Sequence, residues 1–260
     1  MAATLARSDT VGDMDAADVA EVLDEVATAV ALALDGLRDW GLAGTREGQY
    51  RHDLVADTAA LAVIDEAGFG AVSEESGPHH ADRDIVVSLD PVDGSTNASH
   101  GLPWWATSAC AIDAQGPLAS VVVNQATGQR FRATRGGGAT GDGGPIAPST
   151  CRDLSDAIVA FSGYPTRDIG WAQYRSLGAA ALDMCAVACG ALDAFIDCGV
   201  TSLAPWDYLG ALLICREAGA HVAEASGREL VVTETGLRRT PVAAATAELL
   251  DHAVKARRFL

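Results

Sequence analysis

Apolar positions recur at helical spacing through residues 15–40, an Ala-rich amphipathic stretch closed by Gly41, and again through residues 57–67, so two helices are predicted early in the chain. The period then changes. Residues 85–89 form a continuous apolar, β-branched run, and residues 106–112, 118–124 and 129–133 read as further strands, close enough in sequence to suit an antiparallel-rich sheet. Pro91 lacks a ladder donor and is predicted to stop the first of these strands, leaving Asp90 at its carboxyl end. Beyond the Gly-rich residues 136–144, short strands at 157–161, 194–197, 220–223, 229–232 and 242–244 alternate with helices, one Ala-rich over 179–191 and one opening near Trp206. The chain is therefore predicted to be α/β, with an α+β first part over residues 1–150 and an α/β second part over residues 151–260, built as one compact unit. It contains no internal repeat.

With 260 residues, 49% of them hydrophobic, the chain can bury one large core or two closely packed subdomains. A formal net charge of −17 disfavours nucleic acid and anionic membrane surfaces as partners. The same field opposes phosphate esters unless bound cations reverse it locally. The apolar run at 30–34 is too short to span a bilayer. No basic segment followed by an apolar one opens the chain, so secretion is not indicated and a cytoplasmic location is expected. Cys110, Cys151, Cys185, Cys189, Cys198 and Cys215 lack Cys-x-x-Cys spacing and mostly sit in apolar runs, so they read as reduced thiols.

The chemistry concentrates in Asp90-Pro91-Val92-Asp93-Gly94-Ser95-Thr96-Asn97, where two carboxylates, a hydroxyl and a glycine share one short turn. Gly94 lets the backbone approach a ligand closely, and a helix beginning at Ser95 would offer its N–H groups to a phosphate. Glu74-Glu75 upstream and Asp207 downstream each follow or open an apolar element. All-oxygen ligands with no His or Cys among them suit Mg²⁺, and a phosphate ester between two such ions can be attacked in line by a metal-bound water.

At these residues the chain resembles the inositol monophosphatase family of Mg²⁺-dependent, lithium-sensitive phosphomonoesterases, within the fructose-1,6-bisphosphatase-like superfamily. The family pattern of Glu-Glu, Asp-Pro-Ile/Leu-Asp-Gly-Thr/Ser and Trp-Asp with a later Glu-Ala-Gly reads here as Glu74-Glu75, Asp90 to Ser95, and Trp206-Asp207 with Glu217-Ala218-Gly219. The resemblance runs from about Asp57 to the last quarter of the chain and implies a layered α/β/α/β/α sandwich. It implies that Glu74, Asp90 and the Val92 carbonyl hold a first metal, that Asp90, Asp93 and Asp207 hold a second, and that Asp57 supports a third. Ser95 would work with Glu74 on the nucleophilic water, and the N–H groups of Gly94 and Ser95 would hold the phosphate. Gly178, Ala179 and Asp197 would contact the alcohol part of the substrate. Two departures stand out: the segment before Asp57 reads Arg51-His52-Asp53-Leu54-Val55 where relatives have Val-Thr, and the stretch between Asp197 and Asp207 is a few residues longer.

Other motifs have plainer readings. Arg135-Gly136-Gly137-Gly138 lacks a following Gly-Lys-Ser/Thr and reads as a flexible turn. His79-His80 with Asp82 reads as a solvated loop, Trp104-Trp105 as core or subunit packing, and Glu217 as structural. Without a partner pair, Cys185 and Cys189 do not make a metal site. The expected activity is hydrolysis of a small phosphorylated metabolite, with two or three Mg²⁺ ions, in a homodimer of the kind common among relatives. Inositol monophosphate comes first, since Asp197 would accept hydrogen bonds from a polyol and repel a second phosphate. Histidinol phosphate, fructose 1,6-bisphosphate, 3′-phosphoadenosine 5′-phosphate and NADP are alternatives, and a catalytically weak binding or regulatory relative is the rival class.

Overall fold

A computed structural model describes residues 14–199 and 202–260. The first helix, α1 (Ala16–Leu34), starts where Asp15 accepts the N–H groups of Ala17 and Asp18 at 2.8 and 2.9 Å. It stops six residues before the predicted end because the chain turns at Gly36, whose φ of 78° suits glycine. The second, α2 (Arg51–Glu66), starts six residues earlier than predicted. Its signal is Asp53, which reaches back to the Tyr50 N–H at 2.8 Å, so the first turn is already closed before Asp57.

The first sheet contains β1 (Gly70–Ser73), β2 (Gly77–His79), β3 (Val86–Asp93), β4 (Ala106–Asp113), β5 (Gly116–Asn124), β6 (Arg130–Thr134), β7 (Gly138–Gly141) and β8 (Gly144–Pro145), in the order β2-β1-β3-β4-β5-β6-β7-β8. Only β1 and β3 pair in parallel. Pro91 does not end its strand, contrary to expectation. The ladder to β4 pairs Asp90 with Ser108 and next Asp93 with Ala106, a bulge that removes the need for a proline N–H. The Pro91 carbonyl is taken by the Thr107 hydroxyl at 2.9 Å. Short helix α3 (Ser95–Ser99) follows directly.

The second sheet contains β9 (Ile158–Ser162), β10 (Gln173–Arg175), β11 (Ala194–Asp197), β12 (His221–Glu224) and β13 (Pro241–Ala244), ordered β10-β9-β11-β13-β12 and parallel across β10, β9 and β11. Helices α4 (Ala180–Ala188), α5 (Pro205–Ala218) and α6 (Ala247–Arg257) complete the chain. One sequence expectation fails here. Residues 229–232 are not a strand: the Glu229 carbonyl accepts from Arg239 Nε at 2.6 Å and the Leu230 carbonyl from the Tyr208 hydroxyl at 2.7 Å, so side chains replace a ladder. Residues 135–137 form the expected turn before β7, closed by the Gly137 N–H on the Thr134 carbonyl at 2.9 Å, and Glu217 braces it by accepting the N–H groups of Gly136 and Gly138 at 2.9 and 3.0 Å, the structural role predicted for it.

The period-2 alternation of the strands sets the layers. Ala119, Val121 and Val123 of β5 face α1 and α2, while Val122 between them faces α5. Phe195, Ala160 and Ala243 of the second sheet close on α4 and α5 from the other side, and Val159, Ile196 and Val242 face α6. The result is an α/β/α/β/α sandwich, as the resemblance implied. Gly210 lets α5 lie close to the first sheet: a Cβ there would meet Ser108 Oγ at 2.6 Å and Val122 Cγ2 at 3.2 Å.

Candidate active site

Each acidic group is delivered by the end of an element. Glu74 follows β1, with its N–H on the Leu89 carbonyl at 3.0 Å. Asp90 and Asp93 flank the bulge in β3, and the Asp90 carboxylate takes the Val92 N–H at 3.0 Å, which fixes the turn of the backbone between them. Asp207 is the third residue of α5 and accepts the Ala204 N–H at 2.7 Å, a first-turn cap that also aims the side chain. Oxygens of Glu74, Asp90 and Asp207 lie within 4.8 Å of one another. Three carboxylates at that spacing fit a divalent cation with hard oxygen ligands.

Asp93, the last residue of β3, crosses to the second half of the chain. Its two oxygens accept the N–H groups of Ala180 and Ala181 at 3.2 and 2.7 Å, so it caps α4, whose own N-cap residue Ala179 has no side-chain acceptor. Gly94 follows with φ 89°, and a Cβ there would lie 3.1 Å from the carbonyls of Gly178 and Trp104. Ser95 opens α3 and donates its hydroxyl to the Val92 carbonyl at 2.9 Å.

The charge pattern is self-opposing. Burial, then the charges of Asp207 and Glu75, push Glu74 up to about 8. Burial raises Asp90 well above the usual carboxylate range, reinforced by Glu74, Asp93 and Asp207. Burial also lifts Asp93 to about 8 and Asp207 to about 7, against the relief given by the Ala181 and Ala204 N–H groups. Groups so placed ionise together when positive charge arrives among them.

A cavity of about 270 Å³ opens over this cluster. Its walls include Gly94, Ser95, Gly178 and Ala179, four of the expected substrate-side residues, together with Phe161, Ser162, Ser176, Asp183 and Leu203. Among the described residues, no Lys, Arg or His lines it. Asp197 is not in the wall. It is buried, and its carboxylate accepts the Gly199 N–H at 2.9 Å and the Ser202 hydroxyl at 2.6–2.7 Å, so its oxygens hold the chain instead of facing the cavity. Asp57 is likewise outside the cluster. It accepts from the Ser73 hydroxyl, which in turn accepts the Glu75 N–H at 3.1 Å, and so braces the turn that carries Glu74.

The sequence reading missed Asp53. This buried carboxyl is raised by burial, and the groups that oppose the rise are the Tyr50 N–H, the Ser95 side chain and Arg46, so it is Asp53 that neighbours the site's hydroxyl. Asp53 and Asp57 stand four apart on one buried helix face, and the N–H of Tyr50 is the feature that separates their roles. Asp183 was also missed; it accepts the Trp104 indole N–H at 2.9 Å, and burial pushes it up to about 7. Trp105 packs in the core as expected. His79 pairs with Ser76 at 2.8 Å and His80 stands 3.9 Å from Asp65, without a converging metal set among the described residues. All six cysteines are free. No helix of the described residues is long and apolar enough to cross a membrane.

The profile of the Inositol monophosphatase family matches residues 15–259. A Fructose-1,6-bisphosphatase/inositol-1-monophosphatase from Archaeoglobus fulgidus is 30% identical over 227 residues, covering 84% of this chain and 88% of that protein. Nus factor SuhB from Salmonella typhimurium is 36% identical over 173 residues, 60% of this chain, and the match spans 63% of SuhB. The crystal structure of the extragenic suppressor protein suhB from Bartonella henselae superposes with a TM-score of 0.78 at 25% identity, covering 92% of this chain and 98% of that one.

Proposed function

This chain belongs to the inositol monophosphatase family, and we propose that it is a Mg²⁺-dependent phosphomonoesterase acting on a small monophosphorylated metabolite. The observation that carries the reading is the convergence of Glu74, Asp90 and Asp207 within 4.8 Å at the foot of a cavity that Asp93 and Ser95 also line. Glu74, Asp90, Asp93 and Asp207 would hold Mg²⁺, with the Val92 carbonyl beside them. Bound there, the ion supplies Lewis-acid charge to the phosphoryl oxygens and acidifies water.

The chain's own groups do the remainder. The N–H groups of Gly94 and Ser95 would receive the phosphate, while the missing Cβ of Gly94 lets this turn pack against the Gly178 and Trp104 carbonyls. Ser95 and Glu74 orient the attacking water, and the Asp53 carboxyl beside Ser95 can hold the proton it gives up. Water adds to phosphorus as the ester P–O bond breaks, and the leaving oxygen takes up a proton from solvent water as the alcohol departs toward the wall of Phe161, Ser162, Ser176 and Leu203.

Substrate choice follows from that wall. With Asp197 engaged by Ser202, the case against bisphosphates rests on the absence of a cationic side chain among the described lining residues, which leaves a second phosphate without counter-charge. Ser162 and Ser176 offer hydroxyls to a polyol, which keeps inositol monophosphate first. The two halves of the chain, 1–150 and 151–260, would act as one unit, since Asp93 and Glu74 come from the first and Asp207 and the leaving-group wall from the second. A panel of inositol 1-phosphate, histidinol phosphate, fructose 1,6-bisphosphate, 3′-phosphoadenosine 5′-phosphate and NADP, run with Mg²⁺ and with EDTA, tests the proposal. The expected result is turnover that EDTA abolishes and that is highest on inositol 1-phosphate. A bisphosphate or nucleotide ahead by about tenfold, near 1.4 kcal/mol in transition-state binding, overturns the substrate class. No turnover on any ester favours the second reading, a catalytically weak relative with a binding or regulatory role.

A further inference from the structure

Asp93 hangs from the first turn of α4, so whatever fixes that turn fixes the carboxylate. Two side chains of the preceding part of the chain do this. Asn97 Nδ2 donates at 2.7 Å to both the Trp104 and the Leu177 carbonyls, tying the loop after α3 to the residue before Gly178. The Trp104 indole N–H donates at 2.9 Å to Asp183, four residues into the same first turn, whose own N–H closes on the Ala179 carbonyl at 3.0 Å. Contacts are close throughout: a Cβ at Gly178 would meet Asn97 Nδ2 at 3.2 Å, and one at Gly94 would meet the Gly178 and Trp104 carbonyls at 3.1 Å. Asp183 is 1% exposed, so the indole N–H is the partner that its desolvated carboxyl needs.

We infer that Trp104 is a positioning residue: its hydrogen bond to Asp183, together with Asn97, clamps the start of α4 so that Ala180 and Ala181 hold Asp93 facing the other carboxylates. The inference rests on the reading that Asp93 helps hold the cation. It gives Trp104 a role other than packing or substrate contact, and it makes the bond, not the charge of Asp183, the element that matters. A displacement of a few tenths of an ångström at Asp183 would be passed to Asp93 through one helical turn.

Mg²⁺ alone, titrated into the full chain and followed by calorimetry, tests this without turnover. Trp104→Phe keeps the ring and deletes the donor; its Kd for Mg²⁺ is expected to rise about tenfold. Asp183→Asn keeps an oxygen for the indole N–H and deletes the charge; its Kd is expected to stay within about twofold of wild type. The Trp104 indole resonance, identified by its loss in Trp104→Phe, is expected to shift on Mg²⁺ addition to the wild type. Trp104→Phe binding as tightly as wild type, Asp183→Asn losing as much as Trp104→Phe, or an unmoved indole resonance each overturns the clamp while the functional reading stands. Wild type failing to bind Mg²⁺ at all removes the functional reading and the clamp with it. If Trp104→Phe does not fold, Asp183→Ala against Asp183→Asn makes the same comparison, with about tenfold weaker binding expected for the alanine variant and equal binding overturning the clamp.

Discussion

Asp93 caps α4 and, in the function proposed above, also faces the cation, and the two duties can be separated by substitution. Asp93→Asn keeps an oxygen for one of the two N–H groups but removes the charge, so kcat is expected to fall by about a hundredfold or more, with the fold retained. Near wild-type turnover, measured with saturating Mg²⁺, would end the assignment of Asp93 as a ligand. Ser95→Ala is expected to lower kcat more than it raises KM, because the hydroxyl directs water and does not bind the leaving group; steady-state kinetics with Ser95→Thr as the conservative control check this. The converging carboxylates Glu74, Asp90 and Asp207 were legible in the sequence because each stands at one end of an apolar run. Asp53, Asp57 and Asp197 were not. Choosing between two aspartates four apart depends on where a helix begins, and the loss of Asp197 from the cavity depends on a serine five residues on that folds back over it.

At the level of elements, strands β4, β5, β6 and β11 were legible as apolar, strand-like runs, and the bulge at Pro91 was not, since a proline reads as an end unless its neighbours on β4 are known. Residues 229–232 show the converse error: β-prone residues whose backbone is satisfied by Arg239 and Tyr208 have no need of a ladder. Gly210 tests how tightly α5 is seated. Alanine would gain roughly 1 kcal/mol of helix propensity but must displace Ser108 Oγ from 2.6 Å and Val122 from 3.2 Å. Overpacking of this kind costs about 1–3 kcal/mol, so Gly210→Ala is expected to lower Tm by a few degrees. Adding Ser108→Ala should restore part of the loss in thermal melts, since the Ser108 hydroxyl is buried without a hydrogen-bond partner.

Across the whole molecule, burial and mutual repulsion make the cation-free protein sensitive to pH in an unusual direction. Glu74, Asp93 and Asp207 have folded values near 8, 8 and 7 against ordinary values of 4.5, 3.8 and 3.8, so the folded state binds more protons than the unfolded state between about pH 4 and 8. Their contribution is therefore fully present below about pH 4 and lost as pH rises through 7–8. His52, lowered to about 4 by burial, acts oppositely and removes stability as pH falls from 6.5 through 4. Asp90 and Asp183, also raised by burial, add to the same trend and outweigh His52, so Tm in EDTA is expected to fall from pH 5 to pH 8, and Mg²⁺ is expected to raise it most at pH 8; melts at four pH values with and without the ion decide it. A homodimer is also expected, and light scattering that finds a monomer at micromolar concentration would exclude it. The layered architecture was legible from the order of elements and from the family motifs, whereas the joining of the first sheet to α4 through Asp93 depends on a contact spanning 87 residues, which no local pattern encodes.

The borrowed cap of α4 has a consequence for how the chain is made. During synthesis Asp93 leaves the ribosome well before Ala180, so the acceptor for the helix is already present, on a sheet whose strands all lie before residue 146, when the helix that lacks its own cap emerges. Order of synthesis and order of assembly agree. A rearranged gene that made residues 151–260 first would release α4 with two bare N–H groups and nothing yet built to receive them.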